Sequence, residues 1–109
     1  KVRIVRVPGA FEIPAVAAKL AARGRYAGVI CLGVIFQGET SHAQHIGWGV
    51  THALAQIQVL HKLPVIHGVF VFDKVKHARV RCLNPEHNRG TEAAHTALEM
   101  ARVMATLGV

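Results

Sequence analysis

A chain of 109 residues and 11.8 kDa has room for one core, which excludes separate substrate and cofactor domains and makes 1–109 a single domain. At 51% hydrophobic and 17% charged residues, with a mean hydropathy of +0.31, it carries too much apolar surface for a disordered segment. Thirteen Lys and Arg against six Asp and Glu leave a net charge of +7, which points to an anionic partner, either a small phosphorylated molecule or nucleic acid.

In chain order, Val2–Val7 alternates apolar and basic residues as a strand would and stops at the Pro8-Gly9 turn. Pro14 and Gly24 then bracket an Ala-rich helix. From Ala27 to Phe36 every residue is apolar or Gly, the pattern of a strand buried on both faces in a parallel sheet. The polar loop Gln37–Ser41 leads into a helix with Ile46, Val50, Leu54 and Ile57 on one side, capped by Thr40 or Ser41. Thr40–His61 has no Asp, Glu, Lys or Arg, but four His, three Gln, two Thr and one Ser are too many polar groups for a membrane span. Pro64 opens a strand over Val65–Phe72, followed by a short basic helix around Lys74–Arg81. An irregular stretch runs through Asn88, and a last helix from about Thr91 to Leu107 is expected to bury Ala94, Ala97, Leu98, Ala101 and Met104.

Alternating strands and helices with short connections predict an α/β fold with an open parallel sheet, whose ligands bind beyond the carboxyl ends of the strands. The segments expected there are Pro8–Glu12, Gln37–His42 and the turn around Asp73. Gly38-Glu39-Thr40-Ser41-His42 offers free backbone N–H groups and a helix dipole to an anion, although an ordinary capped helix start is the commoner meaning of such a loop. His42 could move protons near neutral pH. His42, His45 and His52 share a helix side without a carboxylate or Cys to complete a metal set, so no metal is expected. Lys74, Lys76, Arg79, Arg81 and Arg89 make a basic stretch with no aromatic residue among them, which disfavours nucleic acid. Phe11 could stack on a planar heterocycle while Glu12 accepts hydroxyl bonds. Neither G-x-G-x-x-G nor G-x-x-x-x-G-K-[ST] occurs, and no cofactor is indicated. The start lacks a charged-then-apolar leader, and Cys31 and Cys82 read as reduced thiols of a cytoplasmic protein.

Four separated segments, in order, resemble lumazine synthase. They are Val7-Pro8-Gly9-Ala10-Phe11-Glu12-Ile13-Pro14, Gly33-Val34-Ile35-Phe36-Gln37-Gly38-Glu39-Thr40-Ser41-His42, Pro64-Val65-Ile66-His67-Gly68-Val69, and Asn88-Arg89-Gly90 with Glu92-Ala93-Ala94 and Leu98-Glu99-Met100-Ala101. The resemblance runs in register from about Val5 to Leu107. It implies a flavodoxin-like three-layer sandwich and a cofactor-independent transferase. The reaction would join a ribitylamino-pyrimidinedione to a dihydroxybutanone phosphate, giving 6,7-dimethyl-8-ribityllumazine for riboflavin. By position it implies that His42 transfers protons and that Glu39, Thr40 and Arg81 hold the phosphate. Ala10, Phe11, Glu12, Val34, Ile35 and Phe36 would line the pyrimidinedione pocket, and His67 and Arg89 would complete it. Glu92 would orient the histidine. It also implies a homo-oligomer of pentamers, some with an icosahedral shell, and riboflavin synthase as a partner.

The chain departs from the family pattern at several places. Gln37 stands where Arg or Lys is common, Gln44 where an Asp usually follows the histidine by two, and His67 where a neighbouring subunit usually lends a Phe. Leu83-Asn84-Pro85-Glu86-His87 replaces a Gly-Thr-Lys type segment, and Arg89 keeps the charge of a family Lys. The resemblance further implies a first strand and helix ahead of the strand that opens this chain, so the chain is expected to be N-terminally incomplete and to lack a central strand. Two other readings remain open at this point. One is a non-catalytic flavin- or pteridine-binding homologue, and the other is a cage-forming shell protein whose basic face holds anionic cargo.

Overall fold

A computed structural model describes residues 1–86 and 88–108; His87, the last residue of the Leu83–His87 segment, and Val109 lie outside them. A 3₁₀ turn, Ala10–Glu12, runs into α1 (Ile13–Ala22), then β1 (Val29–Phe36), α2 (His42–His61), β2 (Val65–Phe72), α3 (Val75–Leu83) and α4 (Arg89–Leu107). β1 and β2 pair in parallel, in register from Val29 with Val65 to Phe36 with Phe72. Helices cover both faces. This is the α/β architecture with an open parallel sheet that the alternation of elements predicts.

The core lies between the sheet and the first two helices. Pro14 near the start of α1 costs no helical hydrogen bond, and Ile13, Ala17 and Ala21 recur every fourth residue to form its buried stripe. Val50, Leu54 and Ile57 of α2 meet Cys31, Val65 and Val69 from the strands. Val50 and Leu54 are fully buried, and each side chain contributes about 1.5–3 kcal/mol of burial energy. Lys62 closes α2 in the left-handed region at φ 52°, and the chain turns back through Pro64 into β2. There the Gln58 side chain accepts the Val65 N–H at 2.9 Å, tying helix to strand.

Three expectations need correction. Val2–Val7 is not a strand: it makes no ladder, and Val2 and Ile4 are exposed, since an apolar alternation is fixed as a strand only where a neighbour supplies hydrogen bonds. β1 is not buried on both faces. Cys31 faces the core, while Ile30, Leu32, Val34 and Phe36 stay exposed on the other side, because α3 and α4 pack chiefly over β2 and leave that side of β1 open. In α4 the buried residue is Ala93. Ala94, Ala97, Ala101 and Met104 are half-buried, and Leu98 is turned out to solvent at 67% exposure, one step off the stripe that meets the sheet.

Gly68 shows how closely the strands approach. A Cβ added there would lie 2.6 Å from Cδ2 of Leu32 and 2.8 Å from the Cys31 carbonyl oxygen, and the latter is backbone that cannot swing away. Gly68→Ala is therefore expected to destabilise the fold by about 1–3 kcal/mol, read as a shift of the urea midpoint. A second stability test concerns Cys31, where burial pushes the thiol up from 9.0 to about 11. The fold favours the un-ionised thiol, so its contribution is complete below pH 9 and fades as pH rises through about 11. Wild type should lose up to roughly 2–3 kcal/mol more than Cys31→Ala across that window in parallel urea titrations.

Candidate functional site

The site residues fall into two groups, one where β1 hands over to α2 and one along β2 and α4, with Val34 of the first lining a cavity that Arg89 of the second also lines. The first group gathers where β1 hands over to α2. The Gln37 N–H donates to the Phe72 carbonyl at 2.9 Å, which extends the ladder by one bond before the loop leaves the sheet. Glu39, Thr40, Ser41 and His42 are all exposed. Ser41 occupies the N-cap position without a side-chain cap bond; instead Thr40 Oγ1 accepts the His42 N–H at 3.3 Å. The first turn of α2 carries no acidic residue, so the positive end of the helix dipole meets no negative side chain of its own. A phosphate placed there would find N–H donors, the Thr40 and Ser41 hydroxyls and a favourable field. His42 stands at the first position of the helix, beside that space.

Ala10, Phe11 and Glu12 form the 3₁₀ turn ahead of α1, the Glu12 N–H bonding back to the Gly9 carbonyl at 3.2 Å. The Phe11 ring, 64% exposed, lies beside Gly49 of α2, where even a methyl group would come within 3.8 Å of it. It is a wall and not a core residue. At the end of β1 the strand alternation divides the three pocket candidates: Val34 and Phe36 are exposed on the α4 side, whereas Ile35 packs against the core. The two departures from the family pattern nearest this loop meet each other. The Gln44 amide donates to Gln37 Oε1 at 2.9 Å, so an uncharged amide pair bridges the loop where the resemblance leads one to expect a base and an acid.

The second group lies along the free edge of β2, between α2 and α4. A groove of about 450 Å³ is lined there by Gln58, His67, Phe70, Arg89, Glu92 and Thr96, among others. Asn88 fixes its α4 wall: its Oδ1 accepts the Thr91 N–H at 3.0 Å as a helix cap, and its amide donates to the Cys82 carbonyl at 2.8 Å, tying the end of α3 to the start of α4. Arg89 pairs with Glu92 at 3.0 Å and holds its guanidinium over the Phe70 ring, 5.2 Å from the centroid. Within the protomer Glu92 is engaged by Arg89. One turn of helix brings residues 89 and 92 together. Arg81 is exposed near the end of α3. A smaller cavity of about 260 Å³, lined by Leu32, Val34, Gly68, Phe70, Cys82 and Arg89, lies between the sheet and the α3–α4 junction.

Among the described residues, the two groups share no hydrogen bond or ion pair, and no cluster of three or more His, Cys, Asp or Glu could hold a metal ion. No helix among them is long and apolar enough to cross a membrane. Phe70 was not singled out by sequence reasoning, and Asn88 entered only as part of the Asn88-Arg89-Gly90 segment, with no role of its own. Phe70 sits inside an apolar run where nothing marks it from its neighbours. Asn88 carried a readable signal, an Asn just ahead of a helical stretch. A family model described as 6,7-dimethyl-8-ribityllumazine synthase matches residues 1–105.

Proposed function

The chain belongs to the 6,7-dimethyl-8-ribityllumazine synthase family, and we propose that it condenses a ribitylamino-pyrimidinedione with a dihydroxybutanone phosphate to give 6,7-dimethyl-8-ribityllumazine, without a cofactor. The observation that carries this reading is the family match across 105 residues, which spans both groups of site residues. In the reaction the substrate amine attacks the ketone and loses water to give an imine. Phosphate is then eliminated, and the second nitrogen closes the ring with loss of another water. Such chemistry asks a protein to hold two reactants together and to move protons, which suits one histidine beside an anion cradle. His42 takes and returns protons. Glu39, Thr40 and Arg81 hold the phosphate, with the N-terminus of α2 beneath it. Phe11 and Glu12, beside Ala10, Val34, Ile35 and Phe36, receive the pyrimidinedione and its ribityl chain.

The separation of the two groups supports a site shared between neighbouring copies, in which His67, Arg81 and Arg89 of one subunit face His42 of the next. A ring of copies joined head to tail meets that need, because one surface then complements a different one. Mixing the protein with both substrates tests the reaction directly: fluorescent lumazine should accumulate with release of phosphate, and a protein that binds the product but never forms it would instead be a binding homologue. Arg81 gives a sharper test, since only one substrate carries phosphate. Arg81→Lys keeps the charge and loses the two-pronged grip, so KM should rise about tenfold for the phosphorylated substrate and stay unchanged for the pyrimidinedione. Equal effects on both would return Arg81 to a structural role.

A further inference from the structure

His67 sits in the middle of β2 with both ring nitrogens engaged inside the protomer. Nε2 lies 2.7 Å from the Thr51 hydroxyl of α2, and the Val69 N–H donates to Nδ1 at 3.4 Å. A backbone N–H can only donate, so Nδ1 is the acceptor, the neutral ring carries its proton on Nε2, and that proton goes to the Thr51 oxygen. An imidazole satisfied at both nitrogens offers a ligand what a phenyl ring offers: flat faces and a carbon edge, with no polar atom left to be stripped of water. His67 is further fixed by Phe70, ring centroids 5.8 Å apart and planes at 60°. Phe70 in turn carries Arg89, on the wall of the groove that His67 also lines.

From these contacts we propose that Thr51 is a positioning residue. By fixing the tautomer and ring plane of His67 it makes the imidazole a flat, neutral wall for the planar, uncharged heterocycle of the condensation. Without the hydroxyl, the Nε2 proton would have to be satisfied by water or by the substrate, and the ring would be held only by the Val69 N–H and the Phe70 contact. The proposal rests on the reading above, which assigns His67 to the substrate site.

A double-mutant cycle on the assembled protein tests it. Thr51→Val should raise KM for the pyrimidinedione about fivefold with kcat within about twofold, the size expected for one unsatisfied polar group. Thr51→Ser, which keeps the hydroxyl, should restore the wild-type KM. In a His67→Phe background, Thr51→Val should have no further effect, because its action passes through the imidazole. A Thr51→Val effect that persists in that background would overturn the proposal, as would solid-state ¹⁵N spectra of His-labelled wild type showing the His67 proton on Nδ1. If wild type forms no lumazine, the condensation reading fails on its own. The same cycle is then read from calorimetric Kd values for the pyrimidinedione alone, and a Kd indifferent to Thr51→Val would overturn the link.

Discussion

His42→Ala lowers kcat by about 10²-fold while KM for both substrates stays within a small factor, if His42 is the proton carrier of the condensation. The side chain is exposed at the first position of α2 and makes no hydrogen bond among the described residues, so its removal leaves no buried polar group unpaired and no cavity. A loss of rate from this substitution therefore cannot be passed off as a loss of fold, which thermal unfolding of the variant would check. The loss should fall short of complete inactivation, since holding an amine beside a ketone accelerates the reaction even without a proton carrier. A kcat equal to wild type would reduce His42 to a helix-start residue and leave the phosphate loop as the only functional content of that turn.

The second result follows from the separation of the two groups. Arg81→Ala subunits and His42→Ala subunits, each nearly inactive alone, should regain activity when unfolded together and reassembled. In a head-to-tail ring each site takes His42 from one copy and Arg81 from the next, so random mixing at equal amounts leaves about one site in four with both. Specific activity near a quarter of wild type is the expected reading, with each variant reassembled alone as the baseline. Mixtures no more active than those baselines would place His42 and Arg81 in one protomer's own site. A stable, active monomer by native mass measurement would remove the shared site altogether.

What the sequence revealed and what it hid divide along physical lines. β2 runs from Val65 to Phe72 as its apolar run predicts, because Pro64 and Asp73 punctuate both ends. The core stripe of α2 was legible because helical periodicity is a property of one segment alone. Val2–Val7 failed for the opposite reason: alternation describes what a strand could do, while ladder formation depends on a partner that periodicity cannot see. The candidate site behaved in the same way. His42, Glu39 and Thr40 are neighbours in the chain, so their association was readable. The bond between Gln37 and Gln44, the contact of Arg89 with Phe70 and that of Thr51 with His67 join residues whose meeting depends on how layers stack. Two departures that looked independent in the sequence thus meet in one hydrogen bond.

The outer side of β1 has a bearing on how the protein behaves in the test tube. Among the described residues that strand has a single ladder partner, and its eight residues, Val-Ile-Cys-Leu-Gly-Val-Ile-Phe, hold no charge and no proline. Segments of this kind stack readily into cross-β fibrils when several chains bring them together. What opposes that here is long-range repulsion between molecules carrying a net +7, and repulsion is screened within about 10 Å at 0.1 M salt. Colloidal behaviour is therefore set by a contest between edge pairing and charge. Storage in dilute buffer keeps the balance on the side of separate particles, and polyvalent anions such as sulfate push it toward precipitation.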